Sequence, residues 1–163
     1  GYARSTATFE LPDVELVNSL GERISANALL NPDHPVMVNF IFTSCSTICP
    51  VMSASFYQAR HLLHDAGSDI GWISISIDPE YDTPARLRDY ATRFQAGPDW
   101  MFVTGDIEHI IALQKAFDVY RGGKMNHMPV TFLRSGHDMP WIRLDGLASG
   151  SELLAEYHRI STP

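Results

Sequence analysis

Apolar residues recur along the chain at two spacings, one typical of strands and one typical of helices. Continuous runs rich in β-branched and aromatic residues predict buried strands at Val36–Thr43, Ile70–Ile77 and Trp100–Thr104. Elsewhere apolar residues return every three or four positions, which predicts amphipathic helices. The predicted helices are Pro50–Asp65, Pro84–Phe94, Ile107–Phe117 and Ser151–Ile160.

Polar residues at the predicted helix starts indicate where each helix begins. Asp82 or Thr83 can cap the helix that starts at Pro84, and Asp106 can cap the next one. Ser149 and Glu152 have the spacing of a capping box ahead of the last helix. In the helix after Asp106, the apolar residues expected to face the core are Ile107, Ile110, Ile111, Leu113 and Phe117.

A hairpin and an N-terminal extension complete the predicted sheet. Val130–Leu133 and Trp141–Leu144 flank a polar turn and predict an antiparallel hairpin, and a further strand or hairpin is expected near Phe9–Leu16. Strands that alternate with helices favour parallel pairing in the centre of the sheet, with helices on both faces. The sequence therefore predicts an α/β fold with a mixed central sheet, as one domain over residues 1–163.

Composition and charge narrow the class of partner. The net charge is -7, and the 12 basic residues are scattered rather than aligned in a stripe that could follow a phosphate backbone. A nucleic-acid partner is therefore not expected.

No apolar run approaches the roughly 20 residues that span a bilayer, and no secretory leader precedes Thr6. We expect a soluble chain, such as the soluble part of a longer anchored precursor.

The two cysteines lie four residues apart in the segment Thr43–Pro50, where the first central strand is followed by a helix. The unpaired N–H groups and the dipole of a helix start favour a thiolate, which is both a nucleophile and a metal ligand. The spacing allows Cys45 and Cys49 either to bind one soft ion or to form a disulfide. The alternative is that both thiols only fill space in the core.

His127 is the best candidate for a third ligand, because two sulfurs leave a soft ion under-coordinated. It follows a glycine-containing loop and directly precedes a strand, and its neighbours Met125 and Met128 also carry soft sulfur atoms. Two cysteines and one histidine favour Cu(I) and also fit Cu(II) with a weak axial ligand, whereas zinc would want a fourth ligand. His127 could also be an ordinary loop histidine, and His61 and His64 are expected to be solvated.

Three further residues are expected to border this site. Asp78 ends a central strand at the edge where open α/β sheets place their sites, although it could serve only as a turn residue. The segment Met128–Phe132 resembles the strand entrance of thioredoxin-like oxidoreductases, where a cis-proline lies beside the redox cysteines. That resemblance predicts a cis bond before Pro129, and the alternative is a trans proline that starts an edge strand. Met128 lies between His127 and Pro129 and is expected to border the site as well.

Three separated motifs together resemble the Sco/SenC family of copper chaperones. Thr43–Pro50 resembles the T-x-C-x-x-x-C-P segment of that family, Asp78–Pro84 resembles its D-P-x-x-D-T-P turn, and His127 has the position of its copper-ligand histidine. The resemblance implies a thioredoxin-like fold in which Cys45, Cys49 and His127 hold Cu(I) or Cu(II). It also implies a role in assembling the CuA centre of cytochrome c oxidase.

The resemblance further implies partners and a compartment. The partners would be the CuA-bearing subunit of cytochrome c oxidase or another copper chaperone, together with a reductant for the thiol pair. The compartment would be the bacterial periplasm, with a membrane tether outside this chain, or alternatively the mitochondrial intermembrane space.

The residues also allow functions without copper transfer. In a thiol-disulfide oxidoreductase, the Cys45 thiolate would attack a partner disulfide and Cys49 would resolve the mixed disulfide. A peroxidase is disfavoured, because no basic residue lies near the cysteines in sequence. A domain that only docks to an oxidase subunit is a third alternative, and the cysteine motif argues against it.

Overall fold

The secondary structure follows the predicted order, with additional strands near the N-terminus. The computed structural model describes residues 1–65 and 69–161. The strands are β1 Tyr2–Ala7, β2 Glu15–Asn18, β3 Arg23–Ser25, β4 Val36–Ile41, β5 Gly71–Ser76, β6 Trp100–Thr104, β7 Val130–Arg134 and β8 Trp141–Gly146. The helices are α1 Ala26–Leu30, α2 Ile48–Asp65, α3 Pro84–Arg93, α4 Ile107–Ala116 and α5 Gly150–Ser161, and a 3₁₀ turn spans Lys124–Asn126.

The strands form one sheet in the order β1-β8-β7-β4-β5-β6-β2-β3. The central strands β4, β5 and β6 are parallel, while the strands on either side of them pair antiparallel. Parallel neighbours need crossover connections, which α2 and α3 supply. The predicted mixed sheet with helices on both faces is therefore confirmed.

The side chains of β4 alternate between two hydrophobic cores. Val36, Val38 and Phe40 face the core covered by α1 and α4, and Met37 and Ile41 face the core beneath α2, α3 and α5. Each such side chain contributes about 1.5–3 kcal/mol when it is fully buried. Burial on both faces explains why β4 is apolar along almost its whole length.

The predicted N-terminal strand or hairpin is present, with different bounds. It was expected near Phe9–Leu16, but residues 8–14 contain no strand and β2 begins only at Glu15. β1 instead pairs with β8 at one edge of the sheet, and β2 forms a hairpin with β3 at the other. The ring of Phe9 packs 5.2 Å from Phe117 and 5.6 Å from Phe132. These apolar residues cover the core without strand pairing, which a hydrophobic pattern alone does not distinguish from a strand.

Two helix starts are capped as predicted. The hydroxyl of Thr83 accepts a hydrogen bond from the N–H of Arg86 at 3.3 Å at the start of α3. Ahead of α5, the Glu152 carboxylate accepts from the N–H of Ser149 at 2.9 Å, and the Ser149 hydroxyl accepts from the N–H of Glu152 at 3.2 Å. This reciprocal pair is the predicted capping box.

The helix α4 presents a narrower apolar face to the core than the sequence predicts. Asp106 occupies the N-cap position, but its side chain accepts no hydrogen bond from the helix. Ile107 in the first turn is exposed, whereas Ile110 and Leu113 are buried as expected.

No helix within residues 1–65 and 69–161 is long and apolar enough to cross a bilayer.

Candidate functional site

Three chain segments meet at one edge of the sheet. β4 and β5 are parallel, so the loops that follow them leave the sheet side by side. β7 is antiparallel to β4, with Thr131 opposite Asn39, so the start of β7 lies beside the end of β4. The loop after β4 carries the cysteines, the turn after β5 carries Asp78, and the loop before β7 carries His127. The topology therefore brings the predicted site residues to the same edge.

The cysteine loop forms a compact turn between β4 and α2. The N–H of Cys45 donates to the carbonyl oxygen of Phe42 at 3.0 Å. The N–H of Cys49, in the first turn of α2, lies 3.5 Å from the sulfur of Cys45, and the Thr47 hydroxyl lies 3.7 Å from the same sulfur. Both cysteines are free thiols. Cys45 is 8% exposed and Cys49 is fully buried, so the Cys45 sulfur is the one nearer to solvent.

The two thiols differ in acidity. Burial raises the pKa of Cys45, but hydrogen bonds from Cys49 and Thr47 outweigh this effect and hold that pKa below its usual value. Burial raises the pKa of Cys49 far above its usual value, and the negative charges of Cys45 and Asp82 raise it further. Cys45 is therefore the first of the pair to ionise, while Cys49 keeps its proton.

His127 is buried, and its two ring nitrogens have different surroundings. Nε2 lies 2.6 Å from the carbonyl oxygen of Phe40. Because a carbonyl oxygen only accepts, Nε2 carries the hydrogen, and Nδ1 of the neutral ring carries the lone pair. Nδ1 is buried without a hydrogen-bond partner in the described part of the chain. Burial lowers the pKa of His127, which the contact with Phe40 only partly opposes, so the ring is held in the neutral form that a metal requires.

Asp82 ties the cysteine loop to the end of β5. Its carboxylate is fully buried and accepts hydrogen bonds from the N–H of Thr43 at 3.2 Å, from the Thr43 hydroxyl, and from the Ser76 hydroxyl at 2.6 Å. Of the two predicted caps of α3, Thr83 is the cap and Asp82 is not, so Asp82 has this buried role instead. The sequence could have decided between the two caps. A proline at the first helical position, here Pro84, makes the residue directly before it the cap.

Asp78 is joined to the His127 loop by an ion pair that the sequence did not indicate. Nζ of Lys124 donates to Oδ2 of Asp78 at 2.7 Å, and this contact raises the pKa of Lys124. The same ammonium lies 5.6 Å from the ring centre of Phe42 and 5.9 Å from that of Tyr81. The 3₁₀ turn that precedes His127 is therefore held against both neighbouring loops. No local pattern predicts a contact between residues so far apart in sequence.

The predicted ligands share an edge without forming a closed coordination group. The ring of Phe42, which precedes the cysteines, lies 6.4 Å from the ring of His127, so the two loops are in contact. Among residues 1–65 and 69–161, however, no three His, Cys, Asp or Glu side chains form a group that could hold a metal ion. Joint coordination by Cys45, Cys49 and His127 would need a local movement of these loops.

The segment after His127 enters β7 without the cis bond expected from the resemblance to oxidoreductases. The bond before Pro129 is trans, so that expectation is wrong. The carbonyl of Pro129 accepts from the N–H of Gly146 at 3.0 Å, which starts the pairing of β7 with β8 without needing the N–H that proline lacks. β7 lies between β4 and β8, so it is not the edge strand of the alternative either. Met128 projects into solvent beside this segment.

The donor atoms at this edge are soft or borderline. A thiolate, a second thiol and a neutral imidazole suit soft transition metals better than the hard ions magnesium and calcium. The same two thiols, held in one turn, can also exchange with a disulfide. The arrangement therefore supports soft-metal binding and thiol exchange.

The chain matches a known family over nearly its whole length. The family model described as SCO1/SenC matches residues 4–159. The SCO1 protein homolog of Bacillus subtilis is 34% identical over 98 residues, which cover 60% of this chain and 50% of that protein. The chain spans about half the length of the curated relatives it matches.

Solved structures share the fold. The crystal structure of Arabidopsis thaliana ScoI with copper bound has a TM-score of 0.74 at 24% identity, covering 89% of this chain and 93% of that one. BsSco, described as a member of the Sco family of cytochrome c oxidase assembly proteins with a disulfide switch, has a TM-score of 0.79 at 23% identity, covering 95% of both chains. The predicted thioredoxin-like fold is confirmed by these similarities.

Proposed function

The chain belongs to the SCO1/SenC family, and from this premise we propose that it is a copper metallochaperone that carries one copper ion on Cys45, Cys49 and His127. The similar ScoI structure from Arabidopsis thaliana holds copper. The soft donor set of this chain fits the same ion. Copper is here a cargo, which the protein receives, holds and passes to a partner by ligand exchange.

The observation that carries the proposal is the buried, unpartnered Nδ1 of His127. A buried polar atom without a partner costs about 1–3 kcal/mol, and coordination of the lone pair would remove that cost. The other such side-chain atoms among the described residues are N–H donors and a hydroxyl, on Asn39, Trp72, Trp141 and Thr104. His127 also has the outer hydrogen bond, to Phe40, that typically orients a metal-ligating imidazole.

Loading of the site requires deprotonation and a loop movement. The Cys45 thiolate is the first ligand, and the Cys49 thiol releases its proton when its sulfur joins the ion. The His127 loop then brings Nδ1 to the ion. Gly122 precedes this loop with a φ of 78°, a conformation that favours glycine and suits a hinge. Release to a partner reverses these steps.

Anaerobic titration with Cu(I) against a chromophoric chelator tests the ligand set. We expect one ion per chain, and His127→Ala should weaken the affinity by more than about tenfold, the scale on which even the partners of metal ligands matter. His64→Ala, at an exposed position of α2, is the matched control and should bind as the wild type does. An unchanged affinity in His127→Ala would exclude the three-ligand site.

We further propose that the copper is delivered to the CuA-bearing subunit of cytochrome c oxidase or to another copper chaperone, after a thiol reductant has kept Cys45 and Cys49 reduced. The description of BsSco as a member of a family of oxidase assembly proteins supports this partner. Two molecules of the Cu(I)-loaded protein mixed with one copper-free CuA domain should transfer two copper ions, and removal of one electron by added ferricyanide should then produce the CuA absorption spectrum. Copper transfer from this protein that is no faster than transfer from a small copper chelate would contradict the proposed delivery.

A location outside the cytoplasm suits this chemistry. We propose the bacterial periplasm, with a membrane tether, and the mitochondrial intermembrane space as the alternative. A thiol pair that cycles between the reduced and the disulfide forms needs a compartment in which disulfides persist. Fractionation of cells that express the full precursor tests the location, and a cytoplasmic signal would contradict it.

A thiol-disulfide oxidoreductase is the second candidate, and the unequal acidity of the thiols favours it. A thiolate at Cys45, the sulfur nearer to solvent, suits attack on a disulfide, and a fully buried, protonated Cys49 suits resolution of the mixed disulfide. In that reaction the partner disulfide gains two electrons while Cys45 and Cys49 are oxidised to a disulfide. Turnover of insulin disulfides with a thiol reductant would support it, whereas no turnover would exclude it.

A further inference from the structure

Two exposed methionine side chains flank the buried His127. Met125 is 83% exposed and Met128 is 62% exposed, so neither thioether packs in the core. Met125 belongs to the 3₁₀ turn, and Met128 lies in the segment that leads to β7. Each large apolar side chain left in water forgoes about 1.5–3 kcal/mol of burial free energy. Packing therefore does not explain this pair.

The proposed copper ligands, in contrast, are almost closed to solvent. Cys49 is fully buried, Cys45 is 8% exposed and His127 is 9% exposed. Cu(I) moves between proteins by exchange of soft ligands rather than as a free hydrated ion. An ion on its way to these donors therefore needs soft ligands at the surface, and a thioether sulfur is such a ligand.

We propose that Met125 and Met128 form an outer Cu(I) site, which captures the ion at the surface and passes it inward to His127 and the cysteines. This inference rests on the proposed copper function. In the capture step, Cu–S bonds to the two thioethers replace the bonds to the donor, without electron or proton transfer. In the second step, bonds to Nδ1 of His127 and to the thiolates replace the thioether bonds, and the Cys49 proton leaves to solvent.

The basic side chains near the pair are each matched with a carboxylate: Arg121 lies 4.0 Å from Asp118 and Arg143 lies 2.9 Å from Asp145. The ammonium of Lys124, the residue before Met125, is already paired with Oδ2 of Asp78 at 2.7 Å, which offsets its repulsion of copper. The net charge of -7 attracts cations to the molecule as a whole. Thioethers carry no proton, so capture should not depend on pH.

The competing explanation is that the methionines only contact a partner protein. Met128 lines a cleft of about 420 Å³ together with Pro129 and Arg143, and a flexible methionine surface can accept a protein segment. Copper supplied by a small chelator separates the two explanations, because a small chelator offers no protein surface to contact.

The first experiment measures the rate of Cu(I) transfer from a small chromophoric chelator to the reduced full chain by anaerobic stopped flow. The double variant Met125→Leu, Met128→Leu keeps two apolar side chains of similar size but removes the sulfurs. We expect transfer to slow by about tenfold, with an unchanged equilibrium affinity because the final ligands remain. Met139→Leu, at a methionine that is 48% exposed ahead of β8, is the matched control and should transfer at the wild-type rate.

The second experiment observes the outer site directly with Ag(I), a redox-inactive soft ion. In a Cys45→Ser, Cys49→Ser chain labelled with ¹³C at the methionine methyl groups, the Met125 and Met128 signals should shift together and before that of Met139. Equal shifts at Met139, or a wild-type transfer rate in the double variant, would overturn the inference. Slower transfer from a copper-loaded protein but not from the chelator would also overturn it and would indicate protein docking.

Failure of this inference is distinct from failure of the proposed function. If the methionine variants behave as the wild type while Cys45→Ser with Cys49→Ser abolishes copper binding, only the outer site is wrong. If the cysteine variant keeps the wild-type copper affinity, the proposed function itself is wrong.

Discussion

At His127, one backbone carbonyl decides which nitrogen is available to a ligand. Because Phe40 accepts from Nε2, the lone pair is confined to Nδ1. Protonation of Nδ1 would place a charge and an additional N–H donor in a buried position where no acceptor is present among the described residues. The folded chain therefore resists this protonation more than the unfolded chain does.

We expect the free energy of unfolding of the copper-free protein to fall as the pH falls below about 6.5. Burial lowers the pKa of His127 in the folded state, so the unfolded chain takes up this proton first. The slope from this group reaches at most about 1.4 kcal/mol per pH unit and ends below the lowered pKa. Urea denaturation across this pH range measures it. His127→Gln should flatten the slope and His64→Gln should not, and equal slopes in all three proteins would contradict the explanation.

The two thiols should differ in their rates of alkylation because they differ in acidity. We expect iodoacetamide to modify Cys45 well before Cys49 in the folded, reduced protein, because the pKa of Cys45 is lowered and that of Cys49 is raised. Thr47→Val removes a hydroxyl near the Cys45 sulfur and should slow its alkylation at neutral pH. Ser46→Ala, at an exposed position of the same loop, serves as the control. Mass spectrometry of the modified sites over time measures both rates, and equal rates for the two thiols would refute the assignment.

At the scale of elements, the loops at the site are held with different strength. The cysteine loop is tied by the buried carboxylate of Asp82, whereas the His127 loop is tied by an ion pair in which the Lys124 side chain is 40% exposed. Breaking a buried, hydrogen-bonded charge is far more costly than breaking an exposed ion pair. The cysteine loop is therefore the more firmly held part of the site, and we expect the His127 loop to be the part that moves when copper binds.

Removal of the Lys124 ammonium should affect copper binding more than folding. We expect Lys124→Met to lower Cu(I) affinity several-fold, because the His127 loop loses its tie, while the free energy of unfolding changes by less than about 1 kcal/mol. Asp78→Asn should have the same effect, and the double variant should show no further loss, since the two groups act as a pair. Chelator competition and urea denaturation measure the two quantities. Lys115→Met, at a lysine on α4, is the control. If the affinity losses of Lys124→Met and Asp78→Asn add up in the double variant, the two groups do not act as a pair.

The central elements could be predicted because their patterns arise from burial on both faces of the sheet. β4, β5 and β6 are mainly apolar runs with only a few buried polar residues, and the cysteines follow β4 directly. Residues 8–14 could not be assigned, because aromatic packing of Phe9 leaves the same apolar pattern as a strand. The roles of Asp82 and Lys124 depend on contacts between distant segments, which a local pattern does not contain.

At the scale of the whole molecule, the first strand and the last helix are joined through Glu156. This carboxylate on α5 is 1% exposed and accepts from the Tyr2 hydroxyl at 2.6 Å and from Nε of Arg4 at 2.9 Å. β1 covers the edge of the sheet beside β8, so the same contacts hold the edge strand in place. The stability of the fold therefore depends on the ionisation of a tyrosine near the start of the chain.

We expect the free energy of unfolding to fall as the pH rises above about 10. Burial and the contact with Glu156 raise the pKa of Tyr2 to about 12 in the folded state, so its stabilising contribution is complete below the unfolded value and is lost between the two. Tyr2→Phe should remove part of this alkaline loss and lower the stability at neutral pH by about 1 kcal/mol. Denaturation at several alkaline pH values measures the effect. Tyr81→Phe, at an exposed tyrosine, is the control, and an unaltered slope in Tyr2→Phe would rule the explanation out.

The two cysteines are neighbours in sequence, whereas His127 belongs to a distant segment of the chain. With the proposed ligands, a short unfolded stretch that contains both sulfurs could still chelate copper, whereas only the folded chain would add the imidazole. A ligand that also binds the unfolded state stabilises the fold by less than its affinity suggests. With the proposed ligands, we therefore expect copper to raise the melting temperature only by the share of the binding free energy that His127 supplies.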